Sequence, residues 1–246
     1  MTGILAEVLT LVGRETSRIV LHATCIVCGI DLPWSRRVRS CCLECWTSIE
    51  TLDEGRCLKC ALARATSTDD GLFICIGCRS RRSPLRWLDA WGPYHGTLER
   101  VLHAFKFEGH DFLSRPLAEL LARRWQERRE SGAYVIVPVP MHPKGLRERG
   151  YNQSARLASD LGGLLDLPVK ARALSKVRPT RTQSTLPRKD RRNNVQGAFA
   201  ASSSLEGVSV LLVDDICTTG ETIRACARSL RRVGADDVVS LVVARA

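Results

Sequence analysis

Residues 208–222, VSVLLVDDICTTGET, constrain the fold of this chain more than any other stretch. Val210, Leu211, Leu212 and Val213 make an apolar run too short for a helix and bounded by charge, the pattern of a strand buried on both faces of a parallel sheet. Asp214 and Asp215 follow at the expected end of that strand. The next residues are small, hydroxylic and glycine-bearing, and Ile223, Ala227, Leu230 and Val233 then recur at helical intervals. A turn at a helix N-terminus aims free backbone N–H groups and the positive end of the helix dipole at one point. Thr218, Thr219 and Thr222 add hydroxyl donors, which makes the turn a phosphate cradle, with Gly220 and Glu221 contributing backbone N–H groups. Two carboxylates beside it suit the hydroxyls of a ribose or a hydrated magnesium ion bridging further phosphates. An ordinary βα turn, with threonine as N-cap and aspartates as turn formers, would use some of the same residues. The ordered combination of strand, acid pair and Thr-Thr-Gly is what favours the cradle.

A second feature sets the domain organisation. Nine of the 11 cysteines lie between Cys25 and Cys78, and they include four CxxC pairs: Cys25 with Cys28, Cys42 with Cys45, Cys57 with Cys60, and Cys75 with Cys78. No apolar run is long enough to span a membrane, and the first residues mix Glu7, Arg14, Glu15 and Arg18 without the layout of a signal peptide. The expected compartment is the cytoplasm, where thiols stay reduced and CxxC pairs serve as metal ligands before disulfides. Each pair presents two thiolates from one tight turn, so eight ligands predict two structural Cys₄ zinc sites. The near-equal intervals Cys25 to Cys57 and Cys42 to Cys75 read as two successive zinc ribbons, although spacing alone also permits a cross-braced pairing. Cys41 is an odd thiol, and preferring Cys42 to it rests on keeping the two-residue gap. With few apolar residues of its own, this region would draw most of its folding free energy, about 10 kcal/mol per site, from metal. The sheet domain contributes no such ligand and is expected to keep its affinity for a phosphorylated ligand when the metal is removed.

Three regions follow: an amphipathic helix at 1–21, a double zinc ribbon at 22–80, and a sheet domain at 87–246, with the basic linker RSRRSPLR between the last two. Residues 87–94 predict a strand, 98–107 a helix carrying Lys106, and 112–125 a second helix running into the charged stretch 123–130, expected to be a solvated face. YVIVPVP at 134–140 predicts a buried strand that ends near Val137, because Pro138 and Pro140 cannot donate to a ladder. Lys144, Arg147 and Arg149 follow in a loop beyond the strand's carboxyl end, where open α/β sheets bind ligands, and they suit a pyrophosphate group. Residues 174–199 are arginine-rich with few apolar residues to anchor them and predict a mobile loop. The formal net charge of +11 predicts attraction to polyanions, either nucleic acid or polyphosphorylated small molecules.

Residues 208–222 resemble the phosphoribosyl pyrophosphate (PRPP) motif of type I phosphoribosyltransferases. Together with the four CxxC pairs, AFKFEG at 104–109 and VPVPMHPKGLRERGYNQ at 137–153, the chain resembles the competence-associated ComF proteins of that group along almost its whole length. The resemblance implies a type I phosphoribosyltransferase-like α/β fold, a mostly parallel sheet flanked by helices, preceded by a small double zinc ribbon. It implies that Asp214 and Asp215 hold ribose and Mg²⁺, that residues 218–222 wrap the 5′-phosphate, and that the cations take the pyrophosphate. Two functions follow as expectations: a PRPP-dependent enzyme or enzyme-derived domain acting on a nucleobase-type nitrogen, or a cytosolic adaptor for single-stranded DNA and for DNA-uptake or recombination proteins. Cys217, inside the phosphate turn, is expected to be a small packing residue and not a nucleophile.

Overall fold

The computed structural model describes residues 24–32, 40–52, 55–63, 73–180, 191–202 and 204–246. The expected helix at 1–21 lies outside them. Four strands, β1 (Leu88–Pro93), β2 (Tyr134–Pro138), β5 (Ser209–Cys217) and β6 (Asp237–Arg245), form an all-parallel sheet in the order β1-β6-β5-β2. The register sets Val210 beside Val238, Val213 beside Leu241, and Ile136 beside Leu211, so the apolar runs read from the sequence are the centre of the sheet. Two strands depart from expectation. β2 runs on through Pro138, whose lost N–H falls where none is needed, and Val139 N donates to Val213 O at 2.9 Å. β5 carries Asp214 and Asp215 within its last turn of pleat instead of ending before them.

Helices cover both faces, as a parallel sheet requires. On one face lie α3 (Gly96–Phe107), α4 (Ser114–Arg128) and α6 (Gln153–Leu165), whose Phe105, Leu117, Leu121, Leu157 and Leu161 pack on Ile136, Leu211 and Leu241. On the other lies α8 (Glu221–Arg232) with Ile223 and Leu230 against Leu212 and Val242. That face also holds a two-stranded antiparallel pair, β3 (Leu174–Lys176) with β4 (Phe199–Ala201), and the short helix α7 (Arg191–Val195). The ends of the arginine-rich segment are therefore anchored, by buried Leu174, Val195 and Phe199; residues 181–190 lie outside the described residues. Burying each of these side chains stabilises the fold by about 1.5–3 kcal/mol, enough to hold the two ends of a basic stretch against the sheet domain.

Before the sheet come the two cysteine-bearing turns, with short helices α1 (Leu43–Thr47) and α2 (Ile76–Arg79). Each ribbon repeats the same contacts: Cys25 N donates to Ile30 O and Cys57 N to Leu62 O, both at 2.8 Å, while Cys42 N and Cys75 N donate to the sulfurs of Cys25 and Cys57, both at 3.3 Å. The ribbons pack on the sheet and not beside it. Arg56 reaches the fully buried carboxylate of Asp89 in β1 at 3.0 Å, and Leu52 N donates to Trp91 O at 2.7 Å.

The charged stretch 123–130 is a solvated face only in part: Arg123, Gln126, Glu127 and Arg129 are exposed, but three of its charged residues pack inward. Arg124 is buried, donates to Leu52 O and Trp91 O at 3.1 Å each, and lies 5.5 Å from the Trp91 ring. Arg128 donates to Asp89 at 2.7 Å from a guanidinium 4.7 Å over the Trp87 ring, and Glu130 accepts from Trp87 Nε1 at 2.8 Å. Planar guanidinium groups stacked on indole and hydrogen-bonded to backbone carbonyls or a carboxylate tolerate burial that a lysine would not.

Candidate functional site

The carboxyl ends of β2 and β5 open into a cleft of about 580 Å³. Local sequence explains how its walls are set. After β2 the chain enters α5 (Pro143–Arg149), a short helix where a loop was expected: Pro143 sits at the first position, His142 Nδ1 caps by accepting from Lys144 N at 3.2 Å, and Gly150 ends the helix at φ 80°. Asn152 then caps α6, accepting from Ser154 N and donating to Val139 O, both at 3.1 Å, which pins the helix start to the end of β2. Gln153 Nε2 reaches Lys106 O at 3.3 Å and the Tyr151 hydroxyl donates to Phe105 O, so residues 104–109 and 137–153 lock together over the sheet edge.

Asp214 and Asp215 stand at the centre of the cleft. Asp214 Oδ1 accepts from Ser154 Oγ at 2.7 Å and from Asp215 N at 3.0 Å. Burial, followed by the neighbouring charge of Asp215, pushes its carboxyl up to about 7, against the pull of Ser154 and Lys106. Asp215 is buried, with Oδ2 3.1 Å from Lys106 Nζ and Oδ1 accepting from Ile216 N at 2.6 Å. Strand alternation gives the two acids different partners, so they act as two separate acceptors and not as one bidentate group.

An adjoining cleft of about 300 Å³ is lined by every residue from Ile216 to Ile223, with Tyr94, Lys106, Phe107, Arg149 and Asp214. Gly220, at φ 75°, is the N-cap of α8, and a Cβ there would come within 3.2 Å of Arg224 Nη1. The turn's carbonyls are tied back: Arg224 Nη1 donates to Thr219 O at 2.7 Å, and Arg245 Nη1 to Cys217 O at 2.9 Å and to Thr218 O. With its oxygens held behind, the turn is free to present N–H groups and threonine hydroxyls forward, the arrangement an anion requires. Glu221 is buried at the first turn of α8, paired with Arg81 and Arg224 at 3.3 Å each. Cys217 is buried and desolvation pushes its thiol up, as suits a packing residue.

Of the three cations expected for pyrophosphate, Lys144 and Arg149 line the larger cleft; Arg147 is on the same helix but not among its lining residues. The structure adds Lys106, Ser154 and Lys176 to the site. Lys106 and Lys176 lie inside segments the sequence singled out and Ser154 directly after one, but none of the three is marked by local pattern as a partner of the acids, and Lys106 meets Asp215 across more than a hundred residues.

Both cysteine clusters are formed as successive ribbons. The sulfurs of Cys25, Cys28, Cys42 and Cys45 lie within 4.8 Å of one another, as do those of Cys57, Cys60, Cys75 and Cys78. The Sγ separations of 3.8 Å for Cys28 and Cys42 and 3.7 Å for Cys60 and Cys75 match the edge of a tetrahedron with metal–sulfur bonds of about 2.3 Å, so the residues fit zinc. Burial opposes ionisation of Cys25, yet backbone N–H donors of Cys28, Cys42 and Val27 bring its thiol down to about 6. Cys41 stays outside the cluster, its thiol pushed up to about 12 by burial and by the neighbouring Cys25.

The phosphoribosyl transferase domain family matches residues 145–246. The chain is 34% identical to Competence protein F of Haemophilus influenzae, over 63% of this chain and 71% of that protein. It is 30% identical to DNA utilization protein YhgH of Salmonella typhimurium, over 74% and 80%, and 27% identical to Competence protein ComFC of Streptococcus pneumoniae, over 90% and 99%. Among solved structures, a purine phosphoribosyltransferase from Pyrococcus horikoshii aligns at 19% identity over 54% of this chain and 83% of that one, with a TM-score of 0.32, too low to add to the topology. The sheet, the matched domain and the paired cysteine clusters together are a type I phosphoribosyltransferase-like fold preceded by two ribbons.

Proposed function

This chain belongs to the Competence protein F (ComF) family, and from that premise we propose that it binds PRPP with magnesium in the cleft of Asp214 and Asp215 and passes the phosphoribosyl group to a nucleobase-type nitrogen. The observation that carries this reading is convergence: two acids, a turn with its carbonyls tied back, and four cations (Lys106, Lys144, Arg149 and Lys176) meet at one sheet edge. Residues 218–222 would receive the 5′-phosphate, with Gly220 and Glu221 acting through backbone N–H groups. Asp214 and Asp215 would accept from the ribose hydroxyls. Lys144 and Arg149, which line the cleft, would meet the pyrophosphate, and Arg147, exposed on α5 and not among the lining residues, has the weaker claim.

Carboxylates that keep part of their surface toward a cleft fit Mg²⁺, which takes one or two such ligands and shares the rest with substrate phosphates and water. When bound, the ion would supply positive charge to the diphosphate oxygens. In the transfer, a bond forms between the acceptor nitrogen and ribose C1 as the bond from C1 to the pyrophosphate oxygen breaks. The pyrophosphate leaves with the electron pair, and the nitrogen's proton goes to solvent. Positive charge builds on the sugar and negative charge on the leaving group, which Lys106, Lys144 and Arg149 are placed to meet.

Isothermal titration with Mg-PRPP tests the binding step. The wild-type chain should bind, and Asp214→Asn with Asp215→Asn should weaken it about a hundredfold. A wild type that does not bind, or a double variant that binds as well, removes the assignment. Pyrophosphate release against a panel of bases then reports turnover. A second reading, a cytosolic adaptor for single-stranded DNA or for DNA-uptake and recombination proteins, draws on the relatives' names, competence and DNA utilization, and on the net charge of +11.

A further inference from the structure

The basic linker RSRRSPLR contributes nothing to the cleft at Asp214 and Asp215. Its residues 81–85 form one wall of a different cavity, of about 190 Å³, closed by the second ribbon, by α8 and by the reverse side of the phosphate turn. Six cations line it: Lys59, Arg81, Arg82, Arg224, Arg228 and Arg245. Among the described residues, Glu221 is its one carboxylate. Two zinc-ligand cysteines, Cys60 and Cys78, also touch the space. A zinc tetrathiolate carries two negative charges, and with Glu221 these still leave the cations in excess.

Three of the six cations are held by named partners. Arg81 and Arg224 are aimed by Glu221, and Arg245 Nε donates to Cys60 O at 3.2 Å while its Nη1 holds the turn's carbonyls. Lys59 and Arg82 stand exposed at the rim. Fixed guanidinium groups converging on a concave space hold a positive potential that an anion relieves, and planar N–H forks match phosphate oxygens best. The volume suits a phosphate or diphosphate group and is well below the roughly 300 Å³ or more of sites for larger ligands. We propose that this cavity is a second anion site, for a small phosphorylated ligand such as orthophosphate or pyrophosphate, on the reverse of the turn whose front faces the cleft.

Cys217, Thr219, Gly220 and Glu221 line both spaces. An anion behind the turn and a phosphate in front of it therefore share one backbone, and each should change the other's affinity by the same factor.

Titration of the full-length, zinc-loaded chain with pyrophosphate in magnesium-free buffer tests this independently of PRPP binding. The wild type should take up two equivalents, Lys144→Ala with Arg149→Ala should lose the front one, and Lys59→Ala with Arg82→Ala should weaken the rear one about tenfold or more while zinc content stays unchanged. A single equivalent sensitive to Lys59 and Arg82 alone keeps the rear site and counts against the PRPP reading. Uptake that ignores the Lys59 and Arg82 substitutions, or no uptake at all, overturns the rear site. Loss of zinc in that variant also overturns it, since the cations would then serve the thiolates.

Discussion

Asp214 shows how a single residue can be poised for a ligand at a cost to the free protein. Its carboxyl, raised to about 7 from an ordinary 3.8, prefers to be protonated in the folded chain, so the folded state binds more protons than the unfolded one between those values. Stability from this group is therefore present at low pH and is lost as pH rises from about 4 through about 7. Asp214→Asn keeps an oxygen to accept from Ser154 and removes the charge. In urea unfolding with zinc present, the wild type should lose about 1–2 kcal/mol more than Asp214→Asn between pH 5.5 and 8. Parallel profiles would show that the carboxylate is already compensated and would remove the argument. The acids and the threonine turn were legible in the sequence because they are contiguous, and one strand-to-helix transition orients them all. Lys106 and Ser154 were not, because their proximity to the acids is made by the packing of α3 and α6, which no local pattern announces.

At the scale of elements the same division holds. Buried parallel strands announce themselves as apolar runs: β1 and β2 were read close to their observed bounds, whereas the run Val210 to Val213 marks only the first half of β5. In the charged stretch 123–130 the inward turn of Arg124 and Arg128 was not legible, because arginine hydropathy says nothing of aromatic neighbours supplied by the chain around β1. The ribbons were expected to be independent of the sheet domain, but their contacts differ in where they lead. The first ribbon meets α3, through Arg100 Nε to Ile26 O at 2.9 Å, far from the phosphate turn in sequence and in contacts. The second reaches the turn itself through Arg245, whose guanidinium joins Cys60 O to Cys217 O and Thr218 O. Loss of metal from the second ribbon should release Cys60 O, let Arg245 turn away, and loosen the carbonyls behind the phosphate cradle. Cys25→Ser and Cys57→Ser should each lose one of two zinc ions by plasma mass spectrometry. Only Cys57→Ser should weaken Mg-PRPP binding by about tenfold or more, with Cys25→Ser staying within about threefold. Equal affinities in the two variants would restore an independent sheet domain.

At the scale of the whole molecule, two groups of cations among the described residues flank one turn. Lys106, Lys144, Arg149 and Lys176 line the cleft, and Lys59, Arg81, Arg82, Arg224, Arg228 and Arg245 line the rear cavity. A ligand enclosed in the cleft replaces a small number of counterions and meets its charges at short range, so its affinity should respond weakly to salt. A nucleic-acid strand laid across the surface would engage many phosphates at once and release a counterion for most of them. Fluorescence anisotropy with a short single-stranded oligonucleotide and calorimetry with Mg-PRPP, both at 50 and 200 mM salt, separate the two. If the chain is an adaptor that engages six or more phosphates, affinity for the single strand should fall by about three-hundredfold or more over that range, while PRPP affinity falls by less than about tenfold. Absence of oligonucleotide binding even at the lower salt would dispose of the adaptor reading. A PRPP affinity as salt-sensitive as that of the strand would mean that its phosphates lie on the open surface, and the enclosed cleft around Asp214 would then not be where it binds.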